Sequence, residues 1–448
     1  MAILVDRQTA YRMYEKAFED VLGRDGVEPQ GVRALRKGAF ARFKELGFPT
    51  NKNEEWRFTN VNPVTSTYFS TRSQEPATVP SGDVERWLFA GAGAVSLVFI
   101  NGFWSESLSR VQDLPEGVEI LPFSRAWREG RTDLTEKLGG ITDAESNPFS
   151  ALNTALFDDG MLIKVHDGVR VDRPIEILLY CSMAERPQVV FPRILVDAGR
   201  DSSLSLVEVY AGDEGGTGFT NAVTEVYLDK GAQVEHDKLQ VEPSRHYHIA
   251  LMAVRQEGHS VFTSNAVSFG GLLVRNGVQV TLAGTEADCT LNGLSVAGRT
   301  QLIDNHTSID HATEQCTSHE LYKTILDGNA RGVFNGKIFV RPGAQKTDAK
   351  QTNKTVLLSD EALMNTKPQL EIFADDVKCT HGATIGQLDD EQLFYLRARG
   401  IDLATARDML TLAFANDVVS RIHVEALRTQ LEQLLRGRLQ AERAGERS

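Results

Sequence analysis

Cysteine is scarce. The 448 residues contain four, Cys181, Cys289, Cys316 and Cys379, far apart and without a CxxC pair. That excludes a disulfide framework and argues against a zinc ribbon; Cys181 and Cys289 read as small buried hydrophobes. Basic residues are in deficit, 48 Lys and Arg against 61 Asp and Glu, for a net charge of −13. A chain that grips nucleic acid through its phosphates needs the opposite balance, so no nucleic-acid partner is expected. No run approaches the roughly 20 apolar residues that span a bilayer. The start, MAILVDRQTAYRMYEKAFED, lacks the basic segment and the apolar core of about 7–15 residues that make a signal peptide. Cytoplasmic residence with no membrane association is the expectation.

Catalytic signatures are equally thin. Gly332-Val-Phe-Asn-Gly336-Lys337-Ile338 has three residues between its glycines where a phosphate loop has four, and Ile338 stands where a hydroxyl must reach magnesium. The chain is therefore not expected to bind or hydrolyse ATP. Gly91-Ala-Gly93 lacks a third glycine and runs into VSLVFI, a strand, where a dinucleotide site needs a helix. Neither GxSxG nor HExxH occurs.

What is present is an ordinary globular composition, 41% hydrophobic and 24% charged, long enough for about three domains. Tyr11, Tyr14, Ala17, Phe18, Val21 and Leu22 recur at helical spacing, as do Val32, Leu35, Phe40, Phe43 and Leu46 ahead of Gly47 and Pro49. PATVPSG (76–82) reads as a linker. From about residue 160 the period becomes two: Leu204 and Leu206, Val278, Val280 and Leu282, and less cleanly Val234, His236 and Lys238. Short strands continue to about residue 387. Helical spacing then returns, with Asp402 as a cap, Leu427, Leu431, Leu434 and Leu435 in a last helix, and a frayed tail AERAGERS. The divisions are 1–80, N-terminal helical; 81–159, linker and start of the β region; 160–387, β core; and 388–448, C-terminal helical.

Gly199, Gly231, Gly258 and Gly284 open similar units 32, 27 and 26 residues apart. A step of that size suits the coil of a β-solenoid. Asn276-Gly277, Asn292-Gly293 and Asn335-Gly336 are good hairpin turns and favour an antiparallel sandwich. Spacing alone leaves both open.

Three histidine groups can carry chemistry. His246 and His248 share one strand face, either as a metal-binding pair without a visible third ligand or as a core or solvated pair. His306, His311 and His319 lie with Asp304, Asp310 and Cys316 in one polar stretch, a loose metal-binding composition or plain polar surface. Cys379 and His381 flank Thr380 and point the same way on a strand, so that thiolate and imidazole can hold a borderline metal such as iron.

Residues 331–401, above all ADDVKCTHGATIGQLD (374–389), together with NEEWRFTN (53–60), closely resemble the SufB/SufD family of iron–sulfur cluster assembly scaffolds, on its SufD side. The order of helical head, long β region and helical tail matches as well. The resemblance implies a mainly β fold, a right-handed parallel β-helix flanked by helical domains. It implies partnership with the paralogous scaffold SufB and with the ABC-type ATPase SufC, the latter through the C-terminal helices, and a homodimer in isolation. A transient iron–sulfur cluster or iron is then held at the subunit interface, with His381 the first metal ligand and Cys379 the second. Reduced flavin accompanies some members, and no motif here locates it. SufB's functional cysteine is replaced by Lys354, and its glutamate after the histidine by Gly382, so sulfur acceptance by this chain alone is not expected. The bacterial cytoplasm is favoured over the plastid stroma. A polysaccharide-active β-helix enzyme is the competing reading; it needs a carboxylate-lined groove, and no carboxylate pair stands out.

Overall fold

In a computed structural model, the described residues are 5–24, 28–71, 79–89, 95–112, 114–182 and 187–446, with side chains to 439. Gly91-Ala-Gly93 and most of the linker before Val79 lie outside them.

Two long sheets face one another, each parallel except for one antiparallel pair at its N-terminal edge. From Ser203 onward the strands alternate between them: Ser203–Gly212 in one, Gly218–Leu228 in the other, Gln233–Gln240 back in the first, and so on to Lys378–Gly386. Each coil contributes one strand to each sheet, giving a parallel β-solenoid of about eight turns. Register is continuous. Ser203, Gln233, Val261, Asp288, Thr317, Asp348 and Lys378 sit side by side.

The coil step is set at the corners. Two residues before each of the first six of these strands, one residue takes a left-handed conformation: Asp201, Gly231, His259, Glu286, Gln315 and Lys346. Corner amides bond the neighbouring corner, as in Asp201 N–H to Lys230 O (3.0 Å) and Gly231 N–H to Gly258 O (3.0 Å), which satisfies groups a lone coil would leave bare. Glycine is required where corners stack most closely: a Cβ on Gly284 would lie 2.0 Å from Gly258 N.

The sandwich alternative fails at its Asn-Gly pairs. All three sit inside parallel strands, Leu273–Leu282, Asp288–Ala297 and Arg331–Val340. Each Gly makes room for a large neighbour instead of turning the chain. A Cβ on Gly293 would meet the Tyr322 ring at 2.3 Å, and one on Gly336 would meet Gln351 Nε2 at 2.3 Å. The asparagines stack across coils, Asn292 Nδ2 donating to Asn265 Oδ1 at 2.9 Å.

Strands begin earlier than the period-two signal, at Val95–Ile100. Helices cover the outer faces. Arg7–Leu22 and Gln30–Leu46 bury Tyr14, Ala17, Phe40 and Phe43 against Phe149, Phe191 and Phe219. At the other sheet, Leu427, Leu431 and Leu435 of helix Glu425–Glu446 share a core with Val207, Val209, Leu239 and Leu294; each fully buried leucine contributes about 1.5–3 kcal/mol. The tail expected to fray continues as helix to Glu446. Asp402 caps helix Leu403–Val419, accepting from Thr405 N–H at 3.0 Å.

Candidate functional site: the open end of the solenoid

The last strands of the two sheets, Leu363–Ile372 and Lys378–Gly386, pair on one side only. The end they form is apolar: Phe373 is 58% exposed and Ile385 46%, with Leu363 and Ile372 also exposed. An uncovered edge of this kind recruits another strand.

Cys379 and His381 lie on that final strand. Ala349 pairs with Cys379, Gln351 with His381 and Asn353 with Ala383. Ala349, Gln351 and Asn353 are buried on the solenoid's inner side, so Cys379 and His381 continue two interior columns to the point where the interior opens. His381 is exposed. Cys379 is half-buried beside Ile338, Val340 and Ala349. Burial pushes its thiol up, and Asp348 adds to this against an opposing Ala349 N–H, which disfavours the thiolate a metal needs.

Behind His381 the column is polar. Gln351 Nε2 donates to Glu320 Oε2 at 2.6 Å, and Gln351 Oε1 is buried without a hydrogen-bond partner. Burial pushes Glu320 up to about 7, opposed by hydrogen bonds from Thr307 and Gln351. Its proton is therefore held more tightly in the folded chain than in the unfolded one. The stability this confers is complete below about pH 4.5 and is lost as pH rises through about 7. Glu320→Gln keeps the shape and abolishes the titration. The variant is expected to stay level from pH 5 to 8 at this position while the parent loses roughly 2 kcal/mol, read as the difference between their denaturant midpoints across that range.

The other histidines separate. His306 and Asp304 anchor the NEEWRFTN segment. His306 Nε2 lies 3.0 Å from Asp304 Oδ1 and its Nδ1 3.3 Å from Glu55 Oε2. Arg275 pairs with Asp304, which also accepts from the Thr59 hydroxyl, and the Arg275 guanidinium stacks 3.8 Å over the Trp56 ring. Burial would raise Asp304, but Arg275 and His306 outweigh it and hold the carboxyl down to about 2. This cluster clamps the N-terminal segment to the outer face of a sheet. His311 is buried against Ser318 Oγ (2.9 Å) and burial pushes it down to about 4, so it is neutral. His319 is exposed and Cys316 is buried. The polar stretch is thus dispersed over both faces of two strands and does not converge.

His246 and His248 are both buried and do have a neighbour set: Glu242, and for His246 also Cys181. Strand spacing missed Cys181, which arrives from a distant coil. Cys289 is fully buried, as a small hydrophobe is.

Comparison with known proteins accords with this architecture. Residues 180–414 match the SufBD core domain of the SUF system for iron–sulfur cluster assembly, and residues 11–177 match the SufBD N-terminal region. The chain belongs to the SufBD family. It is 32% identical over 416 residues to an iron–sulfur cluster assembly SufBD family protein of Synechocystis, covering 91% of each chain. It is 31% identical to the chloroplastic protein ABCI7 of Arabidopsis thaliana, over 95% of this chain and 90% of that one. With the iron–sulfur cluster assembly protein SufD of Escherichia coli it shares 29% identity, over 96% and 97%. Membership links this solenoid to cluster assembly and not to polysaccharide chemistry. No helix among the described residues is long and apolar enough to cross a membrane.

Proposed function

We propose that this SufBD-family chain is a non-catalytic scaffold subunit that joins the paralogous SufB through its open solenoid end and presents His381 to an iron–sulfur cluster growing between the two. The observation that carries the reading is the placement of His381: exposed, on the last strand, whose outer edge is unpaired, at the mouth of the interior. A neutral imidazole supplies one nitrogen to the iron cargo, and a ligating imidazole is oriented by donating its other ring N–H to a carbonyl. Gln351, next in the column, offers such an oxygen. The partner contributes thiolate. Dividing the ligands between two chains lets a rigid-body movement open the site and release the cluster.

Movement is assigned to SufC docked on the C-terminal helices. Helix Asp390–Ala398 buries no residue, and Phe394 is 74% and Tyr395 56% exposed. Nucleotide binding belongs to that partner; ATP acts here only through differential contacts in two states of the assembly. In isolation the same edge serves a second copy of this chain. No residue is assigned to flavin, and the compartment is the bacterial cytoplasm.

The strand edge gives a direct test. Lys378 N–H bonds inward to Thr347 O at 2.8 Å, so by the alternation of a parallel ladder the backbone groups of Cys379, His381, Ala383 and Ile385 face the open edge. Ala383→Pro removes one outward donor and spares the inward bonds. Affinity for SufB is expected to fall at least about tenfold with the circular dichroism spectrum unchanged, as measured by calorimetric titration. Unchanged affinity would place the pairing surface elsewhere.

A further inference from the structure

Inside the solenoid, remote in the strand order from His381, the strand Ile175–Cys181 ends beside the corner that follows strand Gln233–Gln240. Cys181 Sγ, a carboxylate oxygen of Glu242 and a ring nitrogen of His246 all lie within 4.8 Å of one another, and all three residues are buried. The separations resemble the edges of a small tetrahedron. His246 Nε2 is 3.1 Å from Glu242 Oε1, and Thr220 Oγ1 lies 2.6 Å from Glu242 Oε1, 2.9 Å from His246 Nε2 and 3.6 Å from Cys181 Sγ. Ligands about 2.0–2.3 Å from a tetrahedral ion stand roughly 3.3–3.7 Å apart, so the Thr220–Cys181 contact already has that spacing and the shorter, hydrogen-bonded contacts open by some tenths of an ångström when an ion enters.

We propose that Cys181, His246 and Glu242 form a binding site for one divalent cation of the borderline class, Zn2+ or Fe2+, with the Thr220 hydroxyl closing the fourth position. Thiolate, imidazole and carboxylate together suit these ions and suit magnesium or calcium poorly. An outer layer already holds the carboxylate: Glu242 Oε2 accepts from Gln240 Nε2 at 2.9 Å and contacts His248 Nδ1 at 2.8 Å, while Lys238 Nζ lies 3.0 Å from His248 Nε2. Such support fixes ligand orientation and raises affinity.

Of the four residues, Glu242 alone also lines a cavity of about 490 Å³ between the solenoid corner and helix Glu425–Glu446, whose wall includes Trp87, Gln430 and Arg438.

The test uses full-length chain carrying Cys379→Ser and His381→Ala, so that the open end contributes no ligand, with cobalt(II) as the spectroscopic probe. One cobalt per chain is expected, with a thiolate-to-metal absorption band, and Zn2+ should displace it. Adding Cys181→Ser should abolish the band. Glu242→Gln and His246→Gln should each weaken binding at least tenfold. Metal-free thermal unfolding of Cys181→Ser, expected to match its parent, shows that the fold survives. A band that persists without Cys181, or no cobalt retained by the folded parent, would overturn the proposal. Neither outcome bears on His381, which is absent throughout.

Discussion

With His381 replaced by alanine, the chain is expected to fold, to join SufB with unchanged affinity, and to support cluster assembly at least about 100-fold more slowly. The asymmetry follows from where the ring sits. An exposed side chain on a terminal strand carries little stability, and surface truncations of this kind stay within about 0.5 kcal/mol. Removing a metal-ligating atom exceeds the roughly 10–100-fold loss seen when a residue that merely supports a ligand is changed. The measurement is anaerobic reconstitution of the assembled complex, followed by cluster absorption. Cys379→Ala is expected to have the smaller effect, since its half-buried thiol is pushed up and resists forming thiolate. Cluster formation at the parental rate in the His381 variant would remove the imidazole from the account.

The second large effect concerns the motor. Phe394→Asp is expected to abolish docking of SufC without loosening the chain. Phe394 projects from a helix with no buried residue, and Arg399 stacks 4.3 Å from the adjacent Tyr395 ring, so the surface is aromatic and cationic, as interface centres are. Losing one central aromatic residue costs about 2–4 kcal/mol, which is roughly 30-fold to 1000-fold in affinity. Calorimetric titration of the ATPase against both chains reads this directly, and cluster assembly should fall with it. Equal affinities would show that these helices serve another purpose.

The sequence revealed the elements whose signal is local. Helix spacing, the Asp402 cap and the Gly47 stop are all where periodicity places them, and the glycine-led step of about 26–32 residues is the stacking of solenoid corners. What was lost was lost because the solenoid interior is polar and crowded. His236, Lys238, Glu208 and Glu320 occupy inward positions that a hydrophobic pattern expects to be apolar, so Gln233–Gln240 reads as a poor strand although it is a central one. Asn-Gly pairs signal hairpins only when nothing stacks on them; here Tyr322 and Gln351 fill the space a Cβ would take.

The site divided along the same line. Cys379 and His381 stand out in the sequence as a pair because they are two residues apart on one strand and match a family segment. That the outer edge of their strand is unpaired depends on sheet order, which no local pattern encodes. The clamp of Trp56 and Thr59 on Arg275 and Asp304, and the meeting of Cys181 with Glu242 and His246, depend on contacts between distant coils. His306 and Asp304 looked like ligands because an anchor and a metal site draw on the same residue types.

The central claim is that a nitrogen of His381 in this chain bonds the cluster iron. The most direct measurement labels histidine with 15N in this subunit alone, assembles the complex with unlabelled SufB and SufC, reduces the cluster and records pulsed electron–nuclear resonance. A strongly coupled 15N signal that vanishes in His381→Ala is the predicted result. A cluster of full occupancy showing no 15N coupling from this subunit would contradict it.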